Sequence, residues 1–327
     1  MDWIQTFNLT VGVILDPLTA AYILCAIGLS VHFGFTGLLN FGQAAFAAVG
    51  AYGTAIGYLT LKLPLLMAMG FALLCVVVFA LILGIPTLRL RADYLAIVTI
   101  AASEVFRYLM STSAFRDVTG GSNGLSQFGY DFFDWNPIPD GQYSFGPFNW
   151  TADQFWLRAF SFGLVGVATL LVWLMMRSPW GRVLKGIRED EDAVRSLGKN
   201  VFSYKLQSLI VGGLFAGLGG IVFVLAMSNV QPQTWVTNFT FMVWTVLLLG
   251  GAASMLGPIA GGMVFFALWV FVNEILAGMS ALGWLPFLDP AQVGQVRFIL
   301  IGLALMLLVI FRPQGMFGNK KELRFNG

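Results

Sequence analysis

Nine apolar stretches limit what this chain can fold into, at about 18–35, 38–61, 64–84, 94–110, 155–176, 206–227, 239–253, 256–276 and 296–311. About 20 apolar residues at 1.5 Å per residue cross the roughly 30 Å hydrocarbon layer of a bilayer, and most of these stretches come close to that length. The composition agrees: 58% of residues are hydrophobic and 10% charged, where a soluble domain carries about 25% charged residues. The pattern predicts an all-α integral membrane protein, a polytopic bundle of about eight or nine transmembrane helices. The stretch 38–61 is interrupted by Gly42, Gly50, Gly53 and Gly57 and is expected to be a broken or re-entrant helix. Residues 3–15 are too short to cross and end at Asp16-Pro17, so 1–17 reads as an interfacial lead-in helix. With an acidic residue and no positive stretch before its apolar run, this N-terminus does not resemble a cleaved signal.

Orientation follows from the cations, because short cytoplasmic loops collect Lys and Arg. Placing 177–205 inside and alternating outward puts thirteen of the eighteen cations on that side. They are Arg89, Arg91, Arg177, Arg182, Lys185, Arg188, Arg195, Lys199, Lys205, Arg312, Lys320, Lys321 and Arg324, which makes 312–327 a cytoplasmic tail. Lys62, Arg107, Arg116, Arg158 and Arg297 are left over, while Asp117, Asp131, Asp134, Asp140, Asp153 and Asp289 fall outside. The cations are sorted by membrane side rather than gathered in a patch, so nothing points to nucleic acid. The extracytoplasmic connection 111–154 is too long and too punctuated by Gly and Pro for a simple loop, and is expected to form a small cap or docking surface.

Enzyme chemistry lacks its parts. There is no phosphate loop, no HExxH, no CxxC, and His32 is the single histidine. Cys25 and Cys75 both sit in apolar runs, which suits small buried residues better than a disulfide. Glu104 and Arg107 lie three apart on one helical face, where pairing lowers the cost of placing either near the membrane. Glu104 is therefore an ion-pair partner or a pathway residue, and Glu274 reads as interfacial.

Two runs carry the functional signal. In GFTGLLNFGQAAFAAVGAYG, 34–53, Asn40 and Gln43 place two neutral amides on one face with Thr36 a turn earlier. Unwound backbone in a membrane is tolerated where it is buried in protein or lines a cavity, so these three residues either line a solute pathway or hydrogen-bond between helices. In WGRVLKGIREDEDAVRSLGKN, 180–200, Val183, Leu184, Ile187, Ala193, Val194 and Leu197 form an apolar face. Gly181 and Gly186 punctuate the run, and Gly198 suits a helix C-cap. Connections between spans need about 2 to 8 residues, and this one is far longer, so it is expected to dock a soluble partner.

Asp192-Ala193-Val194, followed after three residues by Gly198, resembles the EAA-xxx-G loop by which bacterial ABC importer permeases engage their ATPases. The surrounding run, 177–220, is similar to the corresponding region of LivM-type permeases of branched-chain amino acid ABC importers. GFTGLLNFGQAAFAAVGAYG, GIPTLRLRADYLAIVTIAASEVFR, VLLLGGAASMLGPIAGG and FRPQGMFG resemble further segments of that family, in the same order. Gln43 stands where many relatives carry His, Ala92 replaces a Gly before Asp93, and Ala252-Ala253 departs from a Gly-containing turn.

The resemblance implies one permease domain over 1–327 in a bacterial inner membrane. It pairs with a homologous LivH-type permease, two cytoplasmic ATP-binding subunits and an extracytoplasmic solute-binding protein, and imports branched-chain or related amino acids. No cofactor is expected in this chain, since ATP and Mg belong to the partner ATPases. Gly181, Arg182, Arg188, Glu189, Asp190, Glu191, Asp192, Ala193 and Gly198 are the expected coupling residues. Thr36, Asn40, Gln43 and Glu104 are the expected pathway residues. The alternative is an ATPase-independent secondary transporter or channel for a small polar solute such as urea or an amide.

Overall fold

A computed structural model describes residues 3–90, 92–282, 290–311 and 314–318. Arg91, Asp289, Arg312, Lys320, Lys321 and Arg324, used above for orientation, lie outside them, as does the side chain of Arg297. Helix α1 (Trp3–Gly12) ends in a 3-10 turn at Val13–Leu15. The Asp16 carboxylate accepts from Leu18 N and Pro17 sits in the first turn, and together they start α2 (Pro17–Leu29). This helix continues as a π turn over Ser30–Phe35, then the chain unwinds before α3 (Gln43–Leu59). Next come α4 (Leu65–Thr87) and α5 (Ala92–Ser111).

The connection that follows is folded. It holds α6 (Arg116–Thr119), β1 (Leu125–Ser126), α7 (Asp131–Asp134) and a hairpin of β2 (Gln142–Phe145) and β3 (Phe148–Thr151). A capping box between Thr151 and Gln154 starts α8 (Ala152–Arg177). Two short helices, α9 (Pro179–Glu189) and α10 (Glu191–Ser196), precede α11 (Val201–Met227). β4 (Asn229–Val230) pairs antiparallel with β1 and stitches the outer layer to the bundle. The chain finishes with α12 (Thr237–Gly250), α13 (Gly257–Ala281) and α14 (Pro290–Phe311).

Each apolar stretch of the sequence holds a helix, with runs such as 38–42 and 251–253 outside it. Among the described residues six helices are long and apolar enough to cross a membrane, and the fold is that of an all-α membrane protein. Helix α2 with its π turn is 83% buried and α11 67%, against 17% for α5 and 22% for α13, so the first two form the axis and the others wrap it. Small residues let that axis close up, as membrane helices without a hydrophobic drive between them require. A Cβ on Gly28 would lie 2.2 Å from the Gly212 carbonyl, and one on Gly50 2.3 Å from that of Gly217.

Here the sequence reading is corrected. Helix α3 is continuous, and the break falls before it, at 36–42. Gly50 and Gly53 are contact points rather than breaks: a Cβ on Gly53 would come within 2.7 Å of Ala72 Cα on α4.

Candidate functional site

A helix that stops inside a bundle leaves its last carbonyls and its successor's first amides without partners, and burying them unpaired is costly. At the end of α2 each is met. The carbonyl of Val31 accepts from the Thr36 hydroxyl at 2.9 Å, and Thr36 Oγ1 is hydrogen-bonded to Ser208 Oγ at 2.7 Å. The carbonyls of His32 and Phe33 accept from Leu38 N and Gly37 N. That of Gly34 accepts from Arg188 Nη1 of α9 at 2.5 Å. A guanidinium there also sits at the negative end of the helix dipole.

At the start of α3 the donors are Phe41 N, which reaches Thr99 Oγ1 of α5 at 3.0 Å, and Ala44 N, which reaches Thr240 Oγ1 of α12 at 2.9 Å. Gly42 N donates to Asn40 Oδ1 at 2.8 Å. The Asn40 amide is bonded to His32 Nδ1 at 3.1 Å and donates to Gln43 Oε1 at 3.2 Å, while Gln43 Nε2 donates to Cys25 O at 2.8 Å. With Asn40 Nδ2 as donor, His32 Nδ1 is the acceptor, and Nε2 carries the proton it shares with Leu209 O at 3.1 Å. Trp244 Nε1 closes the set on Asn40 O, and its ring stacks on Phe41 at 4.6 Å.

Asn40, Gln43 and His32 are fully buried. In this conformation the two amides therefore make interhelical hydrogen bonds, the second of the readings open from sequence. Of the expected pathway residues, Thr36 borders a cavity. That cavity, of about 140 Å³, is shared by Gly37, Ile187, Arg188, Glu191 and Lys205.

Glu104 is not part of this node. It pairs with Arg107 at 2.8 Å and accepts from Thr237 Oγ1 at 2.7 Å and Thr237 N at 3.3 Å. It thereby caps the positive end of α12 from α5. The sequence showed the ion pair but not this third partner.

The coupling run divides into an inner and an outer face. Ser178 caps α9, and Asp190 caps α10 by accepting from Asp192 N and Ala193 N, both at 3.0 Å. Leu184, Ile187 and Val194 are buried against the core that holds Val31, Phe35 and Met176. Gly181 packs so tightly that a Cβ would meet Met176 Cα at 2.5 Å. Glu191 bonds Arg195 at 2.9 Å and also Lys205, which ties α10 to α11. Asp192 bonds Arg195 at 2.9 Å, and Glu189 bonds Arg188 at 2.7 Å. Gly198, at φ +75°, ends α10 in the left-handed region with open space around it. Arg182, Glu189, Asp190, Asp192 and Ala193 face outward.

Leu197 differs from its sequence assignment. Grouped with the apolar face, it projects outward instead and is 78% exposed, and Ala193, grouped there too, is likewise exposed. The chain turns after Ser196 to reach Gly198, which lifts Leu197 off the helical repeat. Sequence reading also passed over Thr99, Ser208 and Thr240, although single hydroxyls within apolar runs are a usable sign of interhelical hydrogen bonds.

Residues 17–309 match the family model described as branched-chain amino acid transport system / permease component. The chain belongs to this family. The permease is 30% identical over 312 residues, 91% of its length, to the high-affinity branched-chain amino acid transport system permease protein LivM of Escherichia coli, of which 68% is covered. It is 23% identical to the probable branched-chain amino acid transport permease protein LivM of Methanocaldococcus jannaschii, over 91% of each chain. PsaBC from Streptococcus pneumoniae, in complex with Fab, overlaps it at a TM-score of 0.42 and 16% identity, covering 91% of this chain and 90% of that one. The permease is a multi-pass membrane protein, and its family and apolar helices are consistent with the bacterial inner membrane.

Proposed function

We propose that this chain is the membrane subunit of an ATP-driven importer of branched-chain amino acids, with 1–327 acting as one permease domain. It works beside a homologous permease, an extracytoplasmic binding protein and two cytoplasmic ATPases that hold ATP and Mg. Family membership supports the solute class, through the relatives' names. The observation that carries the coupling is the bond from Arg188 to the Gly34 carbonyl, because it joins the exposed cytoplasmic arm to the unwound end of the most buried helix.

A push on α9 and α10 by a closing ATPase pair then acts on 34–42, where α2, α3, α5, α11 and α12 meet through single hydrogen bonds. Leu197 offers an apolar anchor for a groove on the ATPase, surrounded by polar residues, as interface hot spots are. Gly198 keeps the turn that presents it. Thr36 lies at the cytoplasmic mouth of the pathway, and Asn40 and Gln43 join its wall when the node opens.

The test is radiolabelled leucine uptake into proteoliposomes of the whole complex, with ATPase subunits that bind but do not hydrolyse ATP. Uptake should stop. Uptake that continues, or that occurs with this chain alone, overturns the reading in favour of a secondary transporter or channel.

A further inference from the structure

At the opposite end of the molecule α1, the β2–β3 hairpin, α8 and α13 enclose a cleft of about 740 Å³ that the coupling mechanism does not use. Arg158 lies in its wall, two turns into α8. The guanidinium is stacked on Trp150 at 4.7 Å and donates from Nη1 to Gln154 O at 2.9 Å. Asp16 is 4.0 Å away, beyond hydrogen-bonding distance. Its Nε is buried and has no hydrogen-bond partner among the described residues. A guanidinium presents a fork of donors that matches a phosphate, and leaving a buried donor of a charged group unpaired is costly. Nε itself is closed off, and it is the Nη2 edge, with Asp16 no nearer than 4.0 Å, that an anion in the cleft could join.

Two carboxylates share the cleft. Asp16 uses Oδ1 to cap α2, leaving Oδ2 toward Arg158. Glu274, on α13, accepts from Asn273 Nδ2 at a long 3.4 Å. One cation and two anions around one opening suit a ligand that carries both signs. The position selects the source. Asp16 begins α2 and Trp150 belongs to the aromatic hairpin, which is where headgroups lie, while Ile4 and Leu9 at the same cleft are exposed apolar side chains.

We propose that this cleft binds the headgroup of a zwitterionic phospholipid with a primary amine. Arg158 takes the phosphate, Asp16 and Glu274 take the ammonium, and the acyl chains run past Ile4 and Leu9. A primary ammonium donates hydrogen bonds to the carboxylates and a quaternary one cannot, so phosphatidylethanolamine is preferred to phosphatidylcholine.

The test is native mass spectrometry of the full complex from vesicles of equal phosphatidylethanolamine and phosphatidylcholine. Retained lipid should be enriched in phosphatidylethanolamine about tenfold, the discrimination that one charge-assisted hydrogen bond gives. Arg158→Gln should abolish retention of one lipid per chain, and Glu274→Gln should lower the enrichment while keeping the lipid. This readout stands whether or not leucine is the transported solute. Equal retention of both lipids by the unaltered complex overturns the proposal, and needs no variant to fold. Displacement of the lipid by millimolar free leucine overturns it too, assigning the cleft to an amino-acid zwitterion.

Discussion

Arg188 Nη1 donates to the Gly34 carbonyl at 2.5 Å, so a side chain of α9 closes the last turn of the buried helix that α2 begins. Its Nη2 is held by Glu189 at 2.7 Å. The guanidinium thus joins the Gly34 carbonyl of the π turn to Glu189 of its own helix. Arg188→Ala removes both bonds, and hydrogen bonds to charged groups are worth about 1.5–3 kcal/mol. Leucine uptake should fall roughly tenfold or more while the complex still purifies intact. Uptake at the unaltered rate would detach α9 from the transport cycle.

Leu197 is 78% exposed. Leu197→Asp should leave the thermal midpoint of the isolated permease in place. Its affinity for the ATPase subunits should drop about thirtyfold, the roughly 2 kcal/mol of an interface hot spot. Equal pull-down by both forms refutes the anchor.

Asn40 serves His32, Gln43 and Gly42 through one side chain. Asn40→Leu leaves these groups without partners inside the bundle, at about 1–3 kcal/mol for each. Thermal unfolding in detergent should show a loss of at least ~2 kcal/mol. The apparent KM for leucine distinguishes roles: a shift in a variant of unaltered stability would move Asn40 from the hydrogen-bond node to a solute contact.

Glu104 bridges Arg107 and the first residue of α12. Its side chain is 29% exposed, so Glu104→Gln, which keeps a hydrogen bond to Thr237, should cost only about 1 kcal/mol. Uptake should change little. A large loss of uptake without loss of stability would give Glu104 a place on the pathway.

Gly212 and Gly163 are both helical, yet their environments are opposite. A Cβ at Gly212 would lie 2.3 Å from His32 Nε2 and 2.5 Å from Gly28 O, whereas nothing lies within 4 Å at Gly163. Gly212→Ala should destabilise by about 1–3 kcal/mol through overpacking. Gly163→Ala should be neutral or stabilise by up to ~1 kcal/mol. Comparing the two midpoints checks whether α2 and α11 touch as closely as described.

The all-α membrane class was legible in the sequence, because a segment of about 20 apolar residues has few alternatives in a bilayer, although six helices among the described residues are long and apolar enough to cross one, against the eight or nine expected. The two polar arms were legible for the converse reason: Arg, Glu and Asp in a greasy chain must have a place outside the hydrocarbon or a partner within it. The Asp190 and Gly198 caps follow local rules and depend on nearby residues alone. The location of the break in α2 and α3 was not legible. Glycine permits both an unwound turn and a close helix contact, and only the neighbouring chain decides which: Gly50 meets Gly217, while 36–42 meets donors from α5, α9, α11 and α12. The exposure of Leu197, the third partner of Glu104 and the convergence of Asp16, Arg158 and Glu274 likewise join residues far apart in the chain. Sequence determined which segments are apolar enough to enter a membrane, since transfer from water is a property of each segment. Tertiary structure decided what the polar residues do there, since a hydrogen bond needs a partner at a particular place.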